Sequence, residues 1–237
     1  MTWYREWFGE EYLDLYAYRD EREAQRHVAF FREQVGAIHG EILDLACGKG
    51  RHIREFRAAG YGIVGCDLSW TLLRHGLAEL GPMPLVRADM RRLPFADGVF
   101  AGLVNFFTSF GYFESEEENT QTVREMARVL ATSAPFLFDY LNVNRELRRL
   151  VEKEERRSEA GPVLIERWFD AATRTFNKRI TIGEKRFLER VKGYDFDEIT
   201  AIFAASGMAI RAAFGDFDGA HFGPESPRLI LLGTKRR

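Results

Sequence analysis

Cysteine is scarce in this chain: Cys47 and Cys66 are the only two in 237 residues. Neither has metal-ligating neighbours at useful spacing. The pair therefore suggests a reducing, cytoplasmic setting and two small core side chains. An excess of one charge is missing as well. Thirty-four Lys and Arg face 36 Asp and Glu, a formal net charge of −2. No global basic field argues for a nucleic-acid partner. No apolar run approaches the roughly 20 residues of a membrane span. The opening Met-Thr-Trp-Tyr-Arg-Glu-Trp-Phe has no signal-peptide pattern. Internal repeats, low-complexity tails and a catalytic dyad are likewise missing. What is present is 46% hydrophobic and 14% aromatic residues. That composition and length suit one large α/β domain, or one with a small insertion.

The chain is organised around residues 41–52, Glu-Ile-Leu-Asp-Leu-Ala-Cys-Gly-Lys-Gly-Arg-His. Ile42, Leu43 and Leu45 read as a buried strand with one acid, Asp44, among them. Gly48-Lys49-Gly50 is a turn, and Ile53 and Phe56 then share a helix face. Strand, glycine turn and helix form the first crossover of a nucleotide-binding sheet. A P-loop would need Gly-Lys-Ser/Thr, which Gly48-Lys49-Gly50-Arg51 lacks. A dinucleotide fold wants a third glycine where Ile53 stands. A second apolar strand, Tyr61 to Cys66, ends in Asp67, roughly 20 residues past the glycines, where a ribose-binding carboxylate belongs. A third, from Pro84, ends in Asp89-Met90. Phe100 to Phe107 reads as a fourth strand and Pro135 to Leu141 as a fifth.

Asp44-Leu45-Ala46-Cys47-Gly48-Lys49-Gly50 resembles the first motif of the class I S-adenosylmethionine-dependent methyltransferases, with Ala46 in place of the first glycine. The run Asn105-Phe106-Phe107-Thr108-Ser109-Phe110-Gly111-Tyr112 is similar to that of sugar-amine and glycine N-methyltransferases. The resemblance departs at Ala131-Thr132-Ser133-Ala134, where the family has Pro-Gly-Gly. It implies an α/β, Rossmann-like, seven-stranded, mostly parallel sheet with helices on both faces, and a small antiparallel β insertion after strand five. The expected divisions are an N-terminal helical lid over 1–40, a cofactor-binding core over 41–142, the insertion over 160–192, and a last helix and strand pair over 193–237. The cofactor implied is S-adenosylmethionine. Its expected contacts are Asp44, Ala46, Cys47, Gly48, Gly50, His52, Asp67, Leu68, Asp89, Met90, Asn105 and Phe106. Tyr12, Tyr16 and Arg19 are added from the lid.

The sulfonium already activates its methyl group, so a dedicated nucleophile is unnecessary. A base is needed only when the acceptor must lose a proton. His52, Tyr112, Asp216 and His221 are the candidates for acceptor contact or proton removal. Asp216-x-Asp218 is read as a loop and not a metal site, because further ligands are missing. Residues 145–157, mixing Arg and Glu, read as a solvated helix. The insertion is locally basic through Arg167, Lys178, Arg179, Lys185, Arg186 and Arg190, which serves solubility first. A small-molecule acceptor, N-methylated in preference to O-methylated, is expected, and a homodimer is compatible with the insertion. The alternatives are an RNA or protein methyltransferase, disfavoured by Asn105-Phe-Phe-Thr in place of Asn/Asp-Pro-Pro-Tyr/Phe, and a non-catalytic cofactor-binding regulatory domain. A nicotinamide dehydrogenase ranks below both.

Overall fold

The computed structural model describes residues 2–17, 21–158 and 161–236. Three helices come first: α1 Trp3–Trp7, α2 Glu10–Leu15 and α3 Glu21–Val35. The core alternates β1 Glu41–Leu45, α4 Arg51–Ala58, β2 Gly62–Asp67, α5 Trp70–Leu80, β3 Leu85–Arg87, β4 Gly102–Asn105, α6 Glu116–Val129 and β5 Pro135–Leu141. Then follow α7 Val143–Arg148, four strands (β6 Lys153–Ser158, β7 Gly161–Asp170, β8 Thr175–Ile182, β9 Lys185–Lys192), α8 Phe196–Ala205, β10 Met208–Phe214 and β11 Arg228–Lys235.

The main sheet runs β10-β11-β5-β4-β1-β2-β3. Strands β3, β2, β1, β4 and β5 are mutually parallel, and β11 is antiparallel to both β5 and β10. The order reverses between β1 and β4, which opens a crevice at the carboxyl ends of the strands. Period-two alternation assigns the two faces. Leu43, Phe136 and Phe138 pack with Val123 and Met126 of α6 and Ile199 and Phe203 of α8. Ile42, Val104 and Leu137 point the other way, onto Val28 and Phe31 of α3 and Ile53 and Phe56 of α4. Helices α5, α6 and α8 start where the sequence supplies caps. Ser69 accepts from Leu72 N at 3.1 Å, Ser115 from Glu118 N at 3.1 Å, and Asp195 with Glu198 closes a capping box.

Two expectations change. Strand β4 ends at Asn105, before Phe107, because Phe107 and Thr108 take φ of 62° and 58°, outside any strand conformation. The solvated helix expected over 145–157 exists only as α7. From Lys153 the chain instead forms β6, an edge strand of the antiparallel sheet β6-β7-β8-β9. Its Arg/Glu pattern is satisfied along and across the sheet, where Glu154 meets Arg156 of its own strand and, at 2.7 Å, Arg167 of β7. A charged row also blunts a sheet edge. The antiparallel sheet thus begins at Lys153, not near 160. Val163, Ile165, Ile180 and Ile182 of this sheet form a separate core with Trp7 and Leu15. Helices α1 and α2 therefore pack on the antiparallel sheet, whereas α3 packs on a face of the main one, and the antiparallel sheet with α1 and α2 stands over the carboxyl edge of the main sheet.

Candidate cofactor and acceptor site

A cavity of about 480 Å³ opens at that edge, within the range of small-molecule sites. Its floor is the turn after β1. Ala46 (φ 59°), Gly48 (φ 58°) and Gly50 (φ 81°) carry left-handed backbone, and α4 starts directly after them. Helix α5 locks the turn from outside: a Cβ on Gly76 would come within 2.1 Å of the Lys49 carbonyl oxygen. Only glycine admits that approach, and sequence reading had passed Gly76 by.

Asp44 reaches the floor from β1. It is 1% exposed, and its Oδ2 has no hydrogen-bond partner among the described residues. Burial, then repulsion from Asp67, push its carboxyl up to about 8, against the pull of Arg51. Asp67, at the end of β2, accepts from Gly48 N and Ser69 N at 2.8 Å each. A carboxylate has about four lone-pair sites, so acceptor capacity remains toward the cavity. Burial raises its pKa, opposed by those backbone bonds. Leu68 and Met90 line the cavity nearby. Asp89 lines it too, but Arg91 folds back on both carboxylate oxygens, at 3.0 Å through Nε and 2.5 Å through Nη2. Burial opposes ionisation there, yet the hydrogen bonds from Arg91 hold Asp89 below the usual carboxylate range. Arg91 also lies over the Phe113 ring, 4.4 Å from its centroid. The Cys47 thiol is pushed well up by burial and by Asp44 and Asp67, so it is an inert wall.

The other half of the cavity joins the end of β4, the N-terminal helices and the antiparallel sheet. Phe106, Phe107, Thr108, Ser109 and Tyr112 contribute from the stretch after β4. Trp3 donates through Nε1 to the Tyr112 carbonyl at 3.3 Å, and its ring meets that of Tyr112 edge-on at 4.9 Å. Phe8 and Tyr12 continue the aromatic wall at 5.0 Å, and Tyr12 and Tyr16 at 4.8 Å. Trp7 Nε1 donates to Glu189 at 2.5 Å, Lys178 donates to the same carboxylate at 2.5 Å, and Lys178 also reaches the Tyr16 hydroxyl. Sequence reading named Lys178 only as a basic residue and left Glu189 out. Their pairing is invisible until β8 and β9 are in register, with Lys178 opposite Glu189.

Of the residues expected at the site, Tyr12, Tyr16, Asp44, Ala46, Cys47, Gly48, His52, Asp67, Leu68, Asp89, Met90, Phe106 and Tyr112 all line this one cavity. Gly50 lies just behind it as the N-cap of α4. Asn105 is buried, with its amide nitrogen on the Leu45 carbonyl at 2.7 Å, tying β4 to β1. Asp216 accepts from Asp218 N at 2.9 Å and Ala220 N at 3.1 Å and shapes its own loop. His221 is exposed and bridges to Phe214. Neither Asp216 nor His221 lines the cavity. Arg19 lies outside the described residues.

His52, in the first turn of α4, lines the cavity as a buried side chain. It is 4% exposed, stacked at 4.1 Å on Phe106, with Nε2 3.1 Å from Nδ1 of the equally buried His27. Burial, then the charges of Arg51 and His27, hold it well below the ordinary range. His27 is lowered to about 3 by burial and by Arg51, Arg228 and Arg26. Both imidazoles are neutral in the folded state at pH 7. Unfolded imidazoles protonate near 6.5, so stability is full above that pH and falls as pH drops toward 3. The slope reaches up to about 1.4 kcal/mol per pH unit for each imidazole. His27→Phe is expected to flatten the profile, as read from urea midpoints at pH 7 and pH 5. An unchanged slope would mean that the pair is not neutral.

Residues 42–133 match a family model described as a methyltransferase domain. A demethylmenaquinone methyltransferase of Mycolicibacterium vanbaalenii is 38% identical over 38% of this chain and 36% of its own length. The dTDP-3-amino-3,4,6-trideoxy-alpha-D-glucopyranose N,N-dimethyltransferase of Streptomyces venezuelae is 33% identical over 38% and 37%. The chain thus spans about two-fifths of the length of the curated relatives it matches. Solved structures follow the fold almost end to end. An S-adenosylmethionine-dependent methyltransferase from Clostridium acetobutylicum gives a TM-score of 0.78 at 16% identity, covering 95% of this chain and 96% of that one. CalS10, an amino pentose methyltransferase of Micromonospora echinaspora solved with bound S-adenosylmethionine, gives 0.68 at 19%, covering 95% and 97%. Over residues 42–133 the chain thus matches a methyltransferase domain, its fold is that of solved S-adenosylmethionine-dependent methyltransferases, and the cavity fits that cofactor. The fit rests on a buried carboxylate oxygen without a partner among the described residues, a left-handed glycine turn, and a half-satisfied carboxylate at the end of β2.

Proposed function

We propose that the protein transfers the methyl group of S-adenosylmethionine to a small-molecule acceptor, a nitrogen in preference to an oxygen. The single observation that carries the reading is the buried Asp44 Oδ2, without a partner among the described residues, on a residue that lines the same cavity as Asp67 and the stretch after β4. Bound there, the cofactor supplies a methyl group already activated by positive sulfur. The chain itself would need only to align the acceptor's lone pair with that methyl group, since the cofactor would take back the carbon–sulfur electron pair. Asp44 would meet the cofactor's ammonium, and Asp67 the ribose hydroxyls. The aromatic wall of Trp3, Phe8, Tyr12 and Tyr112 excludes water and suits a cationic sulfonium or ammonium. Alignment of acceptor and methyl by this wall supplies the acceleration. Glu189, joined to Tyr16 and Lys178, is placed to take the proton that an amine releases after transfer. Preference for nitrogen is supported by the sugar N-methyltransferases among the structural neighbours.

Calorimetric titration with S-adenosylmethionine and S-adenosylhomocysteine, with NAD as control, tests the reading. Micromolar binding of the first two alone is expected, and failure of both in folded protein would overturn it. Asp67→Ala is expected to weaken the cofactor by ~1–3 kcal/mol, because the ribose hydroxyls lose their acceptor. Unchanged affinity in a folded variant would remove Asp67 from the site. The cavity reaching Phe106–Tyr112 weighs against the non-catalytic alternative.

A further inference from the structure

Arg228 is a cationic side chain at the acceptor wall with a terminal guanidinium nitrogen left over among the described residues. It opens β11, beside the end of β5, where its Cα partner is Leu141. Its Nε donates to Asp139 Oδ1 at 2.7 Å and its Nη2 to Thr108 Oγ1 at 2.6 Å. Nη1 has no partner among the described residues, and the side chain is 29% exposed and lines the cavity. Its neighbours on that wall are spoken for: Arg167 by Glu154 and the Val151 carbonyl, Lys178 by Glu189 and Tyr16. Asp139 is 1% exposed, and its other oxygen accepts from Phe107 N at 2.8 Å. A buried carboxylate thus fixes the guanidinium plane and leaves its far edge, with donors on Nη1 and Nη2, facing the cavity. That edge matches a carboxylate or a phosphate.

Position in the sheet separates this edge from the cofactor. Asp67 and Asp89 lie at the ends of β2 and β3, whereas Arg228 lies three strands from β1 on the other side of the crevice, about 14 Å away at ordinary strand spacing. On the methyl-transfer reading above, we propose that Arg228 is a specificity residue for the acceptor, and that the acceptor carries an anionic group, carboxylate or phosphate, bound at its Nη1/Nη2 edge.

The test titrates the full-length protein, saturated with S-adenosylhomocysteine, with acetate and separately with inorganic phosphate at constant ionic strength, reading chemical shifts and thermal midpoint. One saturable site is expected, and the tighter of the two anions identifies the group. Arg228→Gln should weaken that site at least about tenfold and Arg228→Lys less, since lysine keeps the charge and loses the fork. Affinity for S-adenosylhomocysteine should stay within about twofold in both. Arg167→Gln should leave anion binding unchanged. Absence of a saturable site in the wild type, equal binding in folded Arg228→Lys and Arg228→Gln, or a parallel loss of cofactor affinity would each overturn the proposal. The last outcome would reassign Arg228 to the cofactor's carboxylate. Failure of S-adenosylhomocysteine to bind would instead strike the methyl-transfer reading itself.

Discussion

Asp139→Ala is expected to lower the unfolding free energy by ~3–5 kcal/mol, measured by urea denaturation at pH 7. Three groups depend on this residue, itself 1% exposed. Phe107 N donates to Oδ2 and Arg228 Nε to Oδ1, and the Asp139 carbonyl takes Thr108 N at 3.1 Å. Alanine keeps only the last of these. The Phe107 amide would lose its acceptor, a loss of ~1–3 kcal/mol by itself, and Arg228 would lose its counter-charge. The same bonds hold Phe107 and Thr108 in left-handed backbone, which for a β-branched threonine is costly. Release should let 107–108 relax toward extended geometry and loosen the acceptor wall. Asp139→Asn keeps one acceptor and should fall between alanine and the wild type. A loss under about 1 kcal/mol for Asp139→Ala would show that the two residues are held by their packing alone.

The signal for Asp139 was already present in the sequence, in the form used for Asp44. Both are lone acids inside apolar strands, Ile-Leu-Asp-Leu in β1 and Phe-Leu-Phe-Asp-Tyr in β5. A motif marked the first as a ligand-facing carboxylate, and no motif marked the second. Strand ends and the glycine turn were legible because each is set by a few adjacent residues. Ala46 shows how far that goes: it stands where the family has glycine, and it takes the left-handed φ of 59° that the position demands. Contacts made by distant segments were not legible. The Lys178–Glu189–Tyr16 group needs two strands in register and a helix laid across them. Arg91 closing on Asp89 needs a loop conformation. The burial of His52 was not legible either, since it needs α3 to bring His27 against it and the loop after β10 to bring Phe217 over His27. The Arg/Glu run over 145–157 misled, since charge patterning does not separate a solvated helix from a polar edge strand.

Asp44→Asn is expected to make the free protein more stable at pH 7–8 and the cofactor complex weaker. Burial raises this carboxyl to about 8, while in the unfolded chain it titrates near 3.9. Between these values the folded state holds a proton that the unfolded state has released. The favourable contribution is therefore complete below about pH 4 and declines as pH rises toward 8, where the charge is forced into a buried site. Each unit by which the pKa is displaced is worth about 1.4 kcal/mol at most. Asparagine carries no charge to bury, so the stability of the variant should not fall over that range. Cofactor binding runs the other way. An ammonium placed against Oδ2 favours the carboxylate, so wild-type protein should bind S-adenosylmethionine more tightly as pH rises toward 8, releasing a proton when it binds at pH 7. Calorimetry in buffers of different ionisation enthalpy reads that proton directly. The Asp44→Asn substitution should abolish it and weaken binding by ~1–3 kcal/mol, the cost of replacing a charged hydrogen bond. Equal proton release in both proteins would move the ammonium away from Asp44. The acid is then explained by what it gives up: stability of the empty site across neutral pH, in return for a carboxylate that only a bound cation fully ionises.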